Sequence, residues 1–241
     1  MNALGRLEWI GVALWALLWL GYVFWAERQG DRRPSMMSLL ATYRRRWMRE
    51  AYLRDVRIPD VAMISSLAQS AAFFSSTTLL ILGGLVALLG TIDQSAQAVQ
   101  SLPFAARTSR DLLEIKALSL TLVFAAAFLR FTWSLRQFNL VNIVVGAYPA
   151  RAEHRQPDDR LIAQASRLNE LAGANFTQGL RAYYFAIPLL LWLINTPLLI
   201  AGSLVITLAT WHMEFRSATV RALSNDTRHE ASHREGPPSS G

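Results

Sequence analysis

The chain has 241 residues, of which 52% are hydrophobic and only 17% charged, against a usual charged share of about 25%. It carries 24 basic and 17 acidic residues, no cysteine, and a mean hydropathy of +0.23. This balance excludes a disordered chain, a disulfide scaffold and any cysteine-based zinc or redox centre, and points to a membrane protein.

Twenty-three of the 24 basic residues are arginines; Lys116 is the single lysine. Guanidinium grips phosphate with a planar fork, and the phosphate nearest a membrane chain is the lipid headgroup. Anionic phospholipids are therefore the expected partners. Nucleic acid is not expected, despite a pI near 10.5, because the arginines flank apolar runs instead of building a soluble basic module.

A bilayer core of about 30 Å requires about 20 apolar residues in a helix. The first such stretch, residues 9–25, is uncharged and carries Trp9 and Trp25 at its ends, where an aromatic belt places them. Tyr22-Val23-Phe24-Trp25 stands where a signal peptide would have small residues, so this run is expected to remain as a span. Over 35–57, Met36, Leu39, Leu40, Tyr43, Trp47, Ala51 and Tyr52 recur at helical spacing, with Arg44, Arg45, Arg46 and Arg49 mostly off that stripe. The pattern predicts a basic amphipathic helix. It either lies at the interface, with those four arginines on lipid headgroups, or packs on the protein itself.

The second span, 68–91, has a small-residue face made of Ala68, Ala72, Ser76, Gly83, Ala87 and Thr91. Such a face suits packing within the monomer, a homo-oligomer seam or a pore lining. Ser75, Ser76, Thr77 and Thr78 set four hydroxyls in a row, either bonded to their own backbone or lining a solute path. The third span, 115–136, contains Arg130, the one charge well inside an apolar run. It is expected to snorkel to headgroups, to pair with Asp60 or Glu27, or to hold an anion. Helical patterning continues to about residue 146, past what a bilayer needs. A further helix is predicted over 158–172, from Asp158 or Asp159 to an end near Gly173. The fourth span, 183–209, holds Pro188 and Pro197 with Asn195 between them, predicting kinks and a polar residue near mid-membrane. Residues 222–241 read as a disordered tail.

Helices are expected rather than a barrel, because Leu79-Leu80-Ile81-Leu82 and Leu189-Leu190-Leu191-Trp192 are apolar on every side. The expected fold is all-α: one integral membrane four-helix bundle over 1–221, with extended span ends and additional cytoplasmic helices. Segment 26–60 holds nine basic residues and 136–182 holds six, against eight in the other connecting and terminal segments. That bias predicts a bacterial inner-membrane protein with both long connections in the cytoplasm and both termini outside.

Two polar groupings are candidate sites. One lies within the membrane (Arg130, Ser75, Ser76, Thr77, Thr78, Asn195). The other lies at the cytoplasmic edge (Asp60, Arg136, Asn139, Asn175, Arg181). His229-Glu230-Ala231-Ser232-His233 matches H-E-x-x-H, which binds zinc on a structured helix with a third ligand. In a polar tail it reads as a chance match, and no metal, cofactor or catalytic residue is expected.

Three stretches carry a family resemblance: Phe73-Phe74-Ser75-Ser76-Thr77-Thr78-Leu79-Leu80-Ile81-Leu82-Gly83-Gly84, Asn175-Phe176-Thr177-Gln178-Gly179-Leu180-Arg181-Ala182-Tyr183-Tyr184-Phe185-Ala186, and Tyr43-Arg44-Arg45-Arg46-Trp47-Met48. With them the chain resembles, over about 5–220, a bacterial membrane family known as domain of unknown function 599. The resemblance implies a multi-span inner-membrane protein and supplies no catalytic residues. The expected role is a non-enzymatic oligomeric scaffold or small conduit. The alternatives are a channel or carrier for a small anion or solute, and a membrane enzyme with a cytoplasmic-side site.

Overall fold

The computed structural model describes residues 5–29, 35–92, 109–149 and 157–224. Their long helices are α1 (Arg6–Gln29), α2 (Met36–Leu53), α3 (Ile58–Gly90), α4 (Arg110–Gly146), α5 (Asp159–Trp192) and α6 (Thr196–Phe215). A short helix, 218–224, follows, and no strand occurs among the described residues. The fold is all-α. Four helices, α1, α3, α4 and α6 with its continuation to Ser224, are long and apolar enough to cross a membrane.

Local chemistry sets the helix starts. Ser35 and Ser38 form a reciprocal capping box at the head of α2. Ser109 caps α4 through the Leu112 amide, and Asp158 caps α5 through the amides of Arg160 and Leu161. Asn195 caps α6 by accepting from the Leu198 amide at 3.0 Å, with Pro197 in the first turn.

Facing pairs give the directions. α1 and α6 run parallel, since Gly11 packs under Thr196 and Leu199, and Tyr22 further along donates to Glu214. α5 runs against both. Its Trp192 donates to Glu8, its Phe185 carbonyl accepts the Trp15 indole N–H, and its Arg181 meets Glu214. α4 runs antiparallel to α5, with Lys116 over the Trp192 ring, and Ser134 donating to the Ala172 carbonyl at 2.8 Å. α3 runs antiparallel to α4, with Phe74 stacked on Phe131 and Asn142 donating to Ser65. α2 lies antiparallel along the first half of α5, placing Met37 by Thr177 and Arg45 by Glu170.

The bundle therefore has a far end, marked by Glu8, Lys116 and Trp192, and an α2 end. Two cores are stacked between them. The first joins the apolar halves of the helices around Trp15, Phe124, Phe131, Leu189 and Trp192. The second joins α2 to the extended ends of α3, α4 and α5 around Met48, Ile64, Phe138, Val141 and Ala165.

Three expectations require correction. The run 183–209 is not one kinked helix: α5 ends at Trp192 and α6 starts at Thr196, and Asn195-Thr196-Pro197 acts as a helix start. The helix expected over 158–172 does not stop near Gly173 but continues unbroken to Trp192. Because α1 and α6 are parallel, Arg6 and Phe215 lie at opposite ends of the bundle, which does not fit both termini on one side. The fate of the tail beyond Ser224, and with it His229 and His233, lies outside the described residues.

Candidate functional site

The six groups of the expected membrane path do not meet. Ser75 is buried and Ser76 exposed, because successive helical residues point in different directions. Thr78 is fully buried; its hydroxyl bonds the Phe74 carbonyl and lies 2.8 Å from the Tyr183 hydroxyl. Asn195 is committed to capping α6 at the far end. Arg130 is exposed on α4 and donates to the Asn175 carboxamide oxygen at 3.0 Å, so its partner is neither of the acids expected. Between these groups lies a packed aromatic cluster. Phe74 and Phe131 stack at 5.2 Å, Phe124 meets Tyr183 edge-on at 5.2 Å, and Phe176 meets Phe131 at 5.6 Å. Gly179 makes this possible: a Cβ there would fall 2.6 Å from the Phe131 ring.

The expected edge site comes together only in part: Arg136 and Asn175 line one open groove with Arg130, and the other three lie apart. Asp60 is fully buried at the start of α3, where its Oδ1 accepts from the Trp47 indole at 2.7 Å and from Arg54 at 2.6 Å. Its Oδ2 has no hydrogen-bond partner. Arg136 lies over the Trp133 ring, and Asn139 is exposed in a shallow groove beside Ser65 and Gln69. Asn175 also donates to the Leu171 carbonyl. Arg181 stands elsewhere, buried against Glu214.

That last pair is the polar centre the structure does build. Arg181 Nε donates to Glu214 Oε1 at 2.7 Å and its terminal nitrogen to Oε2 at 2.9 Å. The Tyr22 hydroxyl donates to the same Oε2 at 2.7 Å, with the guanidinium over its ring. A planar fork on a carboxylate inside a weakly polar surround is the strong form of the ion pair. The pair borders a cavity of about 250 Å³ at the α2 end, also lined by Met36, Met37, Arg44, Arg167 and Glu170.

The four arginines of α2 separate around it. Arg44 turns inward, its guanidinium seated against Gly173, where any Cβ would displace it. Burial lowers the Arg44 pKa from its ordinary value, and Glu170 opposes that shift. Arg45 pairs with Glu170 at 3.2 Å. Arg46 and Arg49 are exposed along an open groove between α2 and α5.

Glu214 lies beyond the apolar run expected to end at residue 209, and its partner Tyr22 lies inside the first apolar run. The available signal was an acid in the last turn of an apolar helix, which needs a cation at its own depth. Lys116, the one lysine, is buried at the far end; its Nζ has no hydrogen-bond partner and lies over the Trp192 ring at 5.4 Å. Among the described residues no group of three His, Asp or Glu side chains is placed to hold a metal ion.

Neither the curated proteins nor the solved structures contain a match to this chain. The family model described as protein of unknown function, DUF599, matches residues 10–219, with both cores and the Arg181–Glu214 centre inside the match, and the chain belongs to that family.

Proposed function

We propose that the protein is a non-enzymatic scaffold of the bacterial inner membrane, sealed within each monomer and self-associating through α3. The observation that carries this reading is the aromatic cluster of Phe74, Phe124, Phe131, Phe176 and Tyr183. It fills the space a conduit would need between Thr78 and Arg130, and its only internal hydroxyl pair is closed on itself. Support for self-association comes from the outward side of α3. Leu79, Leu80 and Val86 are 58%, 78% and 61% exposed, and a Cβ added at Gly83 or Gly84 would meet nothing within 4 Å. Lipid satisfies apolar side chains, but small residues there favour close approach of a second helix.

The α2 end is assigned to the cytoplasm. With α1 and α6 parallel, Arg216 and Arg221 join the basic residues of the two long connections, so that 13 of the described basic residues lie toward that end and three, Arg6, Arg110 and Lys116, toward the other. The positive-inside bias then favours an outside N-terminus, a cytoplasmic C-terminus and a fifth crossing by the second half of α5.

The test uses single cysteines, which the native chain lacks. Gly84→Cys is expected to form a disulfide-linked dimer in membranes, and Leu122→Cys, an equally lipid-facing position on α4, is not. Liposomes holding the protein are expected to leak chloride no faster than empty ones. Equal cross-linking at both positions overturns the α3 seam, and protein-dependent flux overturns the sealed scaffold.

A further inference from the structure

The cavity at the α2 end has an unbalanced charge. Three guanidiniums line it, those of Arg44, Arg167 and Arg181, with the carboxylates of Glu170 and Glu214. Glu214 is fully engaged by Arg181 and Tyr22. Glu170 is taken by Arg45 at 3.2 Å and by Arg167 at 3.5 Å. Arg44 is half-buried with its guanidinium against Gly173, and it makes no hydrogen bond and no ion pair within bonding distance with any described residue. The neighbouring hydroxyls of Ser35, Ser38 and Thr177 make no hydrogen bond with it. Ser35 and Ser38 cap one another, and Thr177 bonds the Gly173 carbonyl. A guanidinium stays charged at any physiological pH, and the carboxylate that acts on this one, Glu170, already serves Arg45 and Arg167, so the cavity keeps an excess of positive charge that an anion would relieve.

We propose that this cavity binds a phosphate-bearing anion, with Arg44 as its principal ligand. Phosphate fits because a guanidinium fork meets two of its oxygens at once, and Arg167 lines the same cavity as a second cation. The space exceeds a bare phosphate ion and leaves room for a group of glycerol size. Met36, Met37 and Phe215 give it an apolar flank level with the ends of α1 and α6. The ligand is therefore either the headgroup of an anionic phospholipid or a small soluble phosphate ester; the recognition chemistry is the same. Gly173 is a positioning residue, since a side chain there would push the guanidinium off its seat.

The full chain in nanodiscs of neutral phosphatidylcholine provides the test. Phosphatidylglycerol is titrated into the bilayer, or glycerol 3-phosphate into solution, with native mass spectrometry and the melting midpoint as readouts. One ligand per chain is expected to bind saturably, and Arg44→Met to weaken it about ten-fold or more, the loss of a charge-assisted pair. Gly173→Ala keeps every charge and moves only the guanidinium, so it weakens binding as well, whereas Arg46→Gln does not. Saturation by glycerol 3-phosphate supports the proposal as a soluble ester site; saturation by phosphatidylglycerol alone supports it as a lipid site. Should Gly173→Ala fail to fold, Arg44→Lys replaces it, keeping the charge and losing the fork, and is expected to bind more weakly than the native chain. Unchanged affinity in Arg44→Met, or no saturable binding of either probe, overturns the proposal.

Discussion

Arg181 and Glu214, 33 residues apart in the chain, are locked face to face by two hydrogen bonds of 2.7 and 2.9 Å, each side chain less than 10% exposed. The pair ties α5 to α6, and the Tyr22 hydroxyl extends the tie to α1.

Breaking this lock from one side leaves a buried charge alone. Arg181→Met or Glu214→Leu is expected to cost about 3–5 kcal/mol, and the double substitution less than either single one, because an apolar pair carries no orphaned charge. Tyr22→Phe removes only one hydrogen bond to a charged group and is expected to cost about 1.5–3 kcal/mol. Unfolding in detergent followed by tryptophan fluorescence measures all four; additive single costs would contradict the coupling.

Gly179 is expected to tolerate no side chain. Its added Cβ falls within 2.6–2.9 Å of three Phe131 ring atoms, and Phe131 is itself held between Phe74, Phe176 and Tyr183. Gly179→Ala should destabilise by about 1–3 kcal/mol through overpacking. Adding Phe131→Leu should recover part of that loss, as a double-mutant cycle of melting data would reveal.

Sidedness follows from the parallel course of α1 and α6. A reporter fused after residue 224 should read cytoplasmic, and one fused before α1 should read outside. Fusions within 35–53 and 159–170 should read cytoplasmic. Same-side readings for the two termini would contradict the parallel pair, and an outside C-terminus with a cytoplasmic N-terminus would contradict the sidedness.

Tyr148, just past α4, gives an alkaline signature. Burial pushes its phenol up to about 12, although the guanidinium of Arg57 over its ring pulls the other way. Folding thus favours the neutral phenol. That contribution is complete below the ordinary value of about 10 and is lost as pH rises through about 12. The hydroxyl has no hydrogen-bond partner, so Tyr148→Phe should match the native melting temperature at pH 8. Between pH 10 and 12 the variant should be the more stable of the two.

Much of the fold was legible because membrane helices announce themselves by apolar length. The expected α4 pattern to about residue 146 matches Arg110–Gly146, and Ser35 correctly marks the head of α2. Asn195 was misread for a definite reason. An apolar run hides a turn when lipid-facing and buried residues are equally hydrophobic, and only the Asn-Thr-Pro start signal betrays it. Gly173 was read as a helix end because glycine often is one; here it gives room to a side chain 129 positions earlier in the chain, which no local pattern encodes. The site residues were chosen by polarity, and polarity alone does not say which partner each one finds. Asp60 and Arg181 were grouped at one edge; Arg181 pairs with Glu214, and Asp60 with Trp47 and Arg54.

The close of α5 on α6 also bears on how the chain is made. When Arg181 leaves the ribosome its carboxylate partner is still 33 residues away, and the apolar part of α5 is too short to enter a bilayer readily while that charge is bare. Translation of α6 supplies both the missing hydrophobic length and the acid. On the proposed topology the two helices are expected to enter together as a hairpin turned at Asn195, with Trp192 then meeting Glu8 of α1. Truncation just after residue 195 would leave a nascent chain stalled at the insertion machinery, whereas truncation at 224 would release one that assembles.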